Sequence, residues 1–96
     1  MTALTLVATF QARPETREEL ARRLQEMVEL TRSETGCLRY DLHVDREDDN
    51  RFVFVETWAD VAAWDVHMDT PHVQALVTDS DRLTTNGIQL AKLRPL

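Results

Sequence analysis

The chain has 96 residues, and 17 acidic against 11 basic side chains leave a formal charge of −6. With 43% hydrophobic and 29% charged residues this is one ordinary globular domain over residues 1–96, not a disordered chain. The acidic balance sets it against phosphate backbones and anionic bilayers, so neither nucleic acid nor a membrane is an expected partner. A single cysteine, Cys37, excludes an internal disulfide and thiolate-rich metal centres.

Residues 3–11 alternate as a strand, with Leu4, Leu6, Ala8 and Phe10 on one face. Pro14 opens a helix predicted over 14–33, whose stripe is Leu20, Leu24, Met27, Val28 and Thr31. Gly36 supplies its stop. Residues 37–45 alternate again, Leu38, Tyr40, Leu42 and Val44 against Arg39, Asp41, His43 and Asp45. The polar run 46–51 joins them to a strand over 52–59, which makes a hairpin. Phe52, Phe54, Glu56 and Trp58 share one side of that strand, and Val53, Val55 and Thr57 the other. Asp60 is read as the N-cap of a short helix over 61–69. Thr70 and Pro71 repeat the device for a helix to about residue 84, with Asn86-Gly87 ending it and a last strand over 88–94.

The order β-α-β-β-α-α-β predicts an α+β, ferredoxin-like split βαβ fold with an antiparallel sheet. Helices can cover one sheet face only. The apolar second face, carried by Val53, Val55, Leu6 or Val7, and Leu93, predicts a homodimer with its sheets face to face, a dimeric α/β barrel.

The chemistry concentrates in residues 54–72. Glu56 lies between Phe54 and Trp58, where burial would raise its pKa toward acid–base use, unless it simply pairs with an arginine. His67 follows Trp64 on the short helix, at the margin of the buried stripe. It is the candidate proton acceptor, since imidazole titrates near neutrality; the plain alternative is a packed histidine. His72 falls in the first turn of the next helix, where it would line a pocket or cap a loop. Five residues and a helix break separate the two histidines, so no metal site is expected. The acidic run Asp45–Asp49 lacks the glycine and glutamate of a calcium loop. No phosphate loop or dinucleotide fingerprint is present, so no cofactor is expected.

Taken together, GCLRYDLHVD (36–45), RFVFVETWAD (51–60) and AAWDVHMDTPHVQAL (62–76) resemble the antibiotic biosynthesis monooxygenase domain, most of all its small quinol-monooxygenase-like members. The resemblance implies a ferredoxin-like homodimer with a pocket between sheet and helices; the cytoplasm is expected separately, from the single cysteine and the lack of a long apolar run. It implies oxygenation of a small dihydroxy-aromatic by O₂ without metal or flavin, with His67 as proton acceptor and Glu56 beside it. Phe54, Trp58, Trp64, Tyr40 and His72 would hold the substrate. The haem-degrading branch fits poorly. Val7-Ala8-Thr9 stand where it has a first-strand asparagine, and Ala75-Leu76-Val77 where it has a helix histidine. Two other readings use the same residues: non-oxidative isomerisation of a small polar carbonyl compound, and a non-catalytic dimer that binds small aromatics.

Overall fold

The computed structural model describes residues 2–96. Strand β1 (Leu4–Ala12) leads through a 3₁₀ turn (Pro14–Thr16) into helix α1 (Arg17–Arg32). Then come β2 (Cys37–Val44), β3 (Arg51–Trp58), α2 (Val61–Met68), α3 (Pro71–Leu83) and β4 (Thr84–Leu93). The sheet order is β2-β3-β1-β4, with every pair antiparallel. This is the expected ferredoxin-like α+β architecture. No described helix is long and apolar enough to cross a membrane.

Alternation of side chains explains how the sheet meets its helices. Leu6, Ala8, Phe10 and Ala12 of β1 are buried, as are Phe52, Phe54, Glu56 and Trp58 of β3. In register, Leu6 opposes Glu56, Ala8 opposes Phe54 and Phe10 opposes Phe52. Helix α1 lies over β2 and α3 over β4, and Leu20, Leu24, Met27, Val73, Leu76 and Leu83 fill the space beneath them. On the other face Val7 opposes Val55 and Ala91, and Thr5 opposes Leu93. Among the described residues no helix covers that side. Leu6 points into the core, so Val7 is the β1 residue on the open face.

Two local expectations are corrected. Leu38 does not join Tyr40 on the inner face: Cys37 pairs with Trp58 but Arg39 with Thr57. Leu38 is therefore the extra residue of a β-bulge, and it is 64% exposed. Asn86-Gly87 does not separate helix from strand either. β4 starts at Thr84, directly after α3. Gly87, at φ 74°, lies within the strand, and its N–H donates to the Thr84 hydroxyl over 2.9 Å.

Candidate active site

Two capped helix starts place the site. Asp60 accepts from the Ala63 N–H at 2.8 Å and starts α2. Such a cap stabilises a helix by about 1 kcal/mol. Thr70 accepts from the Val73 N–H and donates to the His67 carbonyl at 2.7 Å, while Pro71 takes the first position of α3. This corner turns α3 back against α2. It brings the His72 ring to 6.1 Å from the His67 ring, centroid to centroid. The expectation that the helix break keeps the two histidines apart is therefore overturned.

Between the sheet and α2/α3 lies a cavity of about 280 Å³. Buried residues make its inner wall: Ala8, Phe10, Tyr40, Phe54, Glu56 and His67. Its rim is open, with Val77 of α3 41% exposed and Leu90 of β4 44% exposed. Trp64 also reaches the rim, and the Lys92 ammonium stands 4.5 Å over its ring. Tyr40 stacks on Phe54 at 4.4 Å, and the Phe10 ring meets Phe54 edge-on at 5.9 Å. The result is an aromatic-walled slot with two ionisable groups on its wall, Glu56 and His67, besides the Tyr40 phenol.

Trp58 and His72 are not on this wall. Trp58 is fully buried, with its indole N–H donating to Glu56 Oε1 at 3.0 Å and its ring 4.6 Å from that of His67. It packs behind Glu56 and His67. His72 borders a different surface pocket, together with Arg23, Met27 and Leu30.

The partner of His67 is Glu34, which the sequence did not reveal. Glu34 sits in the turn after α1, and its Oε2 and Oε1 lie 3.0 and 3.1 Å from His67 Nδ1. The same Oε2 lies 2.8 Å from His72 Nε2. No periodicity marks a loop carboxylate, and only the packing of the turn after α1 against α2 and α3 makes it part of a site. Gly36 permits that closure. Its φ is +84°, and a Cβ there would stand 2.6 Å from the Ala63 Cβ. Glu56 does not hold His67, since its hydrogen bond goes to Trp58.

Burial sets the protonation states. Desolvation pushes the Glu56 carboxyl above the usual carboxylate range, against the pull of the Trp58 N–H. Desolvation pushes His67 below the ordinary imidazole value, and its contacts with Glu34 oppose that shift. Burial, reinforced by Glu56, holds Tyr40 as a neutral phenol. His67 is thus a neutral imidazole with its Nδ1 edge against Glu34 and its ring on the cavity wall. The Glu56 carboxyl and the Tyr40 phenol share that wall. Among the described residues, Glu34, His67 and His72 are the group whose donor atoms, all within 4.8 Å of one another, could approach a metal ion.

The sequence model of the family described as antibiotic biosynthesis monooxygenase matches residues 3–79. The chain belongs to this family. It is similar to YcnE of Bacillus subtilis, which bears a provisional monooxygenase name, at 33% identity over 89 residues, 93% of this chain and 94% of that one. It is also similar to the Synechocystis protein sll1783, at 34% identity over 87 residues. That match takes in 91% of this chain but only 59% of the longer relative. The crystal structure of PA3566 from Pseudomonas aeruginosa has 38% identity and superposes with a TM-score of 0.92, covering 100% of this chain and 96% of that one. The family relationship supports a general monooxygenase-like function.

Proposed function

We propose that this family member is a cofactor-independent monooxygenase acting on a small dihydroxy-aromatic with O₂, with His67 as the proton acceptor. The observation that carries the reading is the aromatic slot itself, which holds the His67 ring on a wall shared with Tyr40, Phe54 and Trp64. At about 280 Å³ it lies near the low end of the roughly 300–1,000 Å³ of ligand pockets, which suits a guest of one or two rings.

The residues account for each step. His67 takes the proton of a phenolic hydroxyl, and the resulting quinolate passes one electron to O₂. The radical pair recombines to form a C–O bond at a ring carbon that carries hydrogen. His67 returns its proton to the distal oxygen, the O–O bond breaks, and the carbon's hydrogen leaves with that oxygen as water, so the carbon becomes a carbonyl. A quinol C₆H₆O₂ plus O₂ gives a hydroxyquinone C₆H₄O₃ plus H₂O, with the guest supplying all four electrons. Phe10, Phe54 and Trp64 keep water from the radical pair. Glu56 lines the same cavity and in its protonated form, which burial favours, offers a hydrogen bond to an oxygen of the guest. Trp58 and His72 act behind the wall rather than on the substrate.

The protomer is proposed to work as a cytoplasmic homodimer. Val7, Val53 and Val55 on the uncovered sheet face, continued by Ala91 and Leu93, make an apolar strip that a second copy would cover.

The test is O₂ uptake with a panel of quinols and catechols, comparing the native chain with His67→Ala. Uptake that disappears in the variant is expected, and equal rates would remove His67 from the mechanism. Turnover of a carbonyl compound under strict anaerobiosis would instead favour isomerisation.

A further inference from the structure

We propose that Glu34 is the positioning residue of this site: one carboxylate takes the inward N–H of two imidazoles, and so fixes His67 as the tautomer whose Nε2 lone pair faces the slot. The inference rests on His67 being the proton acceptor proposed above, and it names the group that makes this ring a base.

The argument starts from donor and acceptor counts. A carboxylate has only lone pairs to offer, and a neutral imidazole has a single N–H. His67 Nδ1 lies 3.0 and 3.1 Å from the two Glu34 oxygens, so its one hydrogen sits on Nδ1 and Nε2 is bare. Among the described residues Nε2 has no hydrogen-bond partner, and the ring is on the cavity wall. The opposite tautomer would set an imidazole lone pair against two carboxylate oxygens in a place with little water. The side chains of His67 and Glu34 are only 4% and 15% exposed, which strengthens both the attraction and the penalty.

His72 completes the arrangement. Its Nε2 is 2.8 Å from Glu34 Oε2, so its hydrogen must point at the same oxygen. Held between two donors, the carboxylate cannot turn away from His67. The backbone secures all three groups. Thr70 ties α2 to α3 through the His67 carbonyl, and the Ala59 N–H donates to the Gly36 carbonyl at 2.8 Å, fixing the turn that carries Glu34.

The other titratable groups around His67 do not compete for this role. The Tyr40 ring is 5.7 Å away, edge-on, and burial keeps its phenol neutral. Glu56 is occupied by the Trp58 N–H. Among the described residues no arginine or lysine pairs with Glu34. Its charge is therefore available to the imidazolium that forms when Nε2 takes a proton. In that step the phenolic proton enters and leaves at Nε2, the hydrogen on Nδ1 stays, and Glu34 neither gains nor loses one. The logic matches that of carboxylates that orient catalytic histidines elsewhere, where loss of the charge disturbs the tautomer.

Long-range ¹H–¹⁵N correlation spectra of the uniformly ¹⁵N-labelled chain, at a pH where imidazole is neutral, read the tautomers directly. His67 is expected as Nδ1–H and His72 as Nε2–H. In Glu34→Gln the amide keeps the shape but offers one oxygen and an NH₂ group. His67 should then show mixed tautomers, with a kcat for quinol oxidation lowered roughly 10²–10⁴-fold. KM should stay within about twofold, because Glu34 does not touch the guest. Glu34→Asp should restore part of both. A native His67 found as Nε2–H would overturn the inference, as would a Glu34→Gln variant with unchanged tautomer and kcat. If no quinol is turned over, the oxygenase reading fails but the spectra still decide the role of Glu34. If Glu34→Gln does not fold, the native spectra decide alone.

Discussion

Glu34 and His67 stand 33 positions apart in the chain and 3.0 Å apart in space. Neither residue would be remarkable alone. One belongs to the turn that ends α1 and the other to the last turn of α2, and their meeting turns a buried imidazole into an oriented one.

A pH profile follows from that meeting. Burial lowers the pKa of His67 and Glu34 only partly restores it. The kcat/KM for O₂ uptake should therefore rise through an apparent pKa below ~6.5 and stay level above it. In Glu34→Gln the rising limb should move to lower pH still. A profile that falls across the same range would mean that the imidazolium is the active form. The stability linkage has the same sign: the unfolded chain holds this proton more tightly, so the ring's contribution is full above the unfolded imidazole value and is lost as pH falls toward the folded one.

Glu56 predicts the opposite slope. Its carboxyl is held above the usual range by desolvation, so in that window the folded chain binds the extra proton. Its stabilising effect is present at low pH and is lost as pH rises through the raised value. Glu56→Gln keeps an oxygen for the Trp58 N–H but cannot ionise. Thermal denaturation from pH 4 to 8, the span in which a raised carboxyl titrates, should show the variant gaining on the native chain as pH rises. A constant difference between the two would refute the account.

Gly36→Ala should destabilise the fold by more than about 2 kcal/mol, since strain at positive φ and overpacking each contribute about 1–3 kcal/mol. The new Cβ would meet Ala63 at 2.6 Å with φ still at +84°. Urea denaturation measures the loss. Gly87→Ala is the control: it shares the positive φ but has nothing within 4 Å, so its loss should be the smaller of the two.

The uncovered sheet face predicts an oligomer. Val55 lies at the centre of that face, opposite Val7, and Val55→Arg would place a charge within the proposed strip. Sedimentation should give a dimer for the native chain and a monomer for the variant, with the fold retained. A native chain that sediments as a monomer would remove the dimer from the reading.

Much of the scaffold was legible because it follows local rules. Asp60 and Thr70 cap the helices they precede, and the alternation of β3 placed Phe54 and Glu56 on the inner side. Leu38 misled because its stretch alternates without a flaw, while the ladder inserts a bulge that side-chain pattern does not encode. The face of Trp58 was legible as well, but its depth along β3, fully buried and off the cavity lining, was not. His72 was legible as a candidate, but Glu34 and its pairing with both histidines arise only through tertiary closure, which neither spacing nor periodicity encodes.

The close approach of Gly36 to Ala63 makes the methyl group on α2 a spacer for the turn that carries Glu34. A larger side chain at position 63 would push that turn outward and draw the carboxylate away from both rings. The proton affinity of the site is thus adjustable from a position that does not line the cavity.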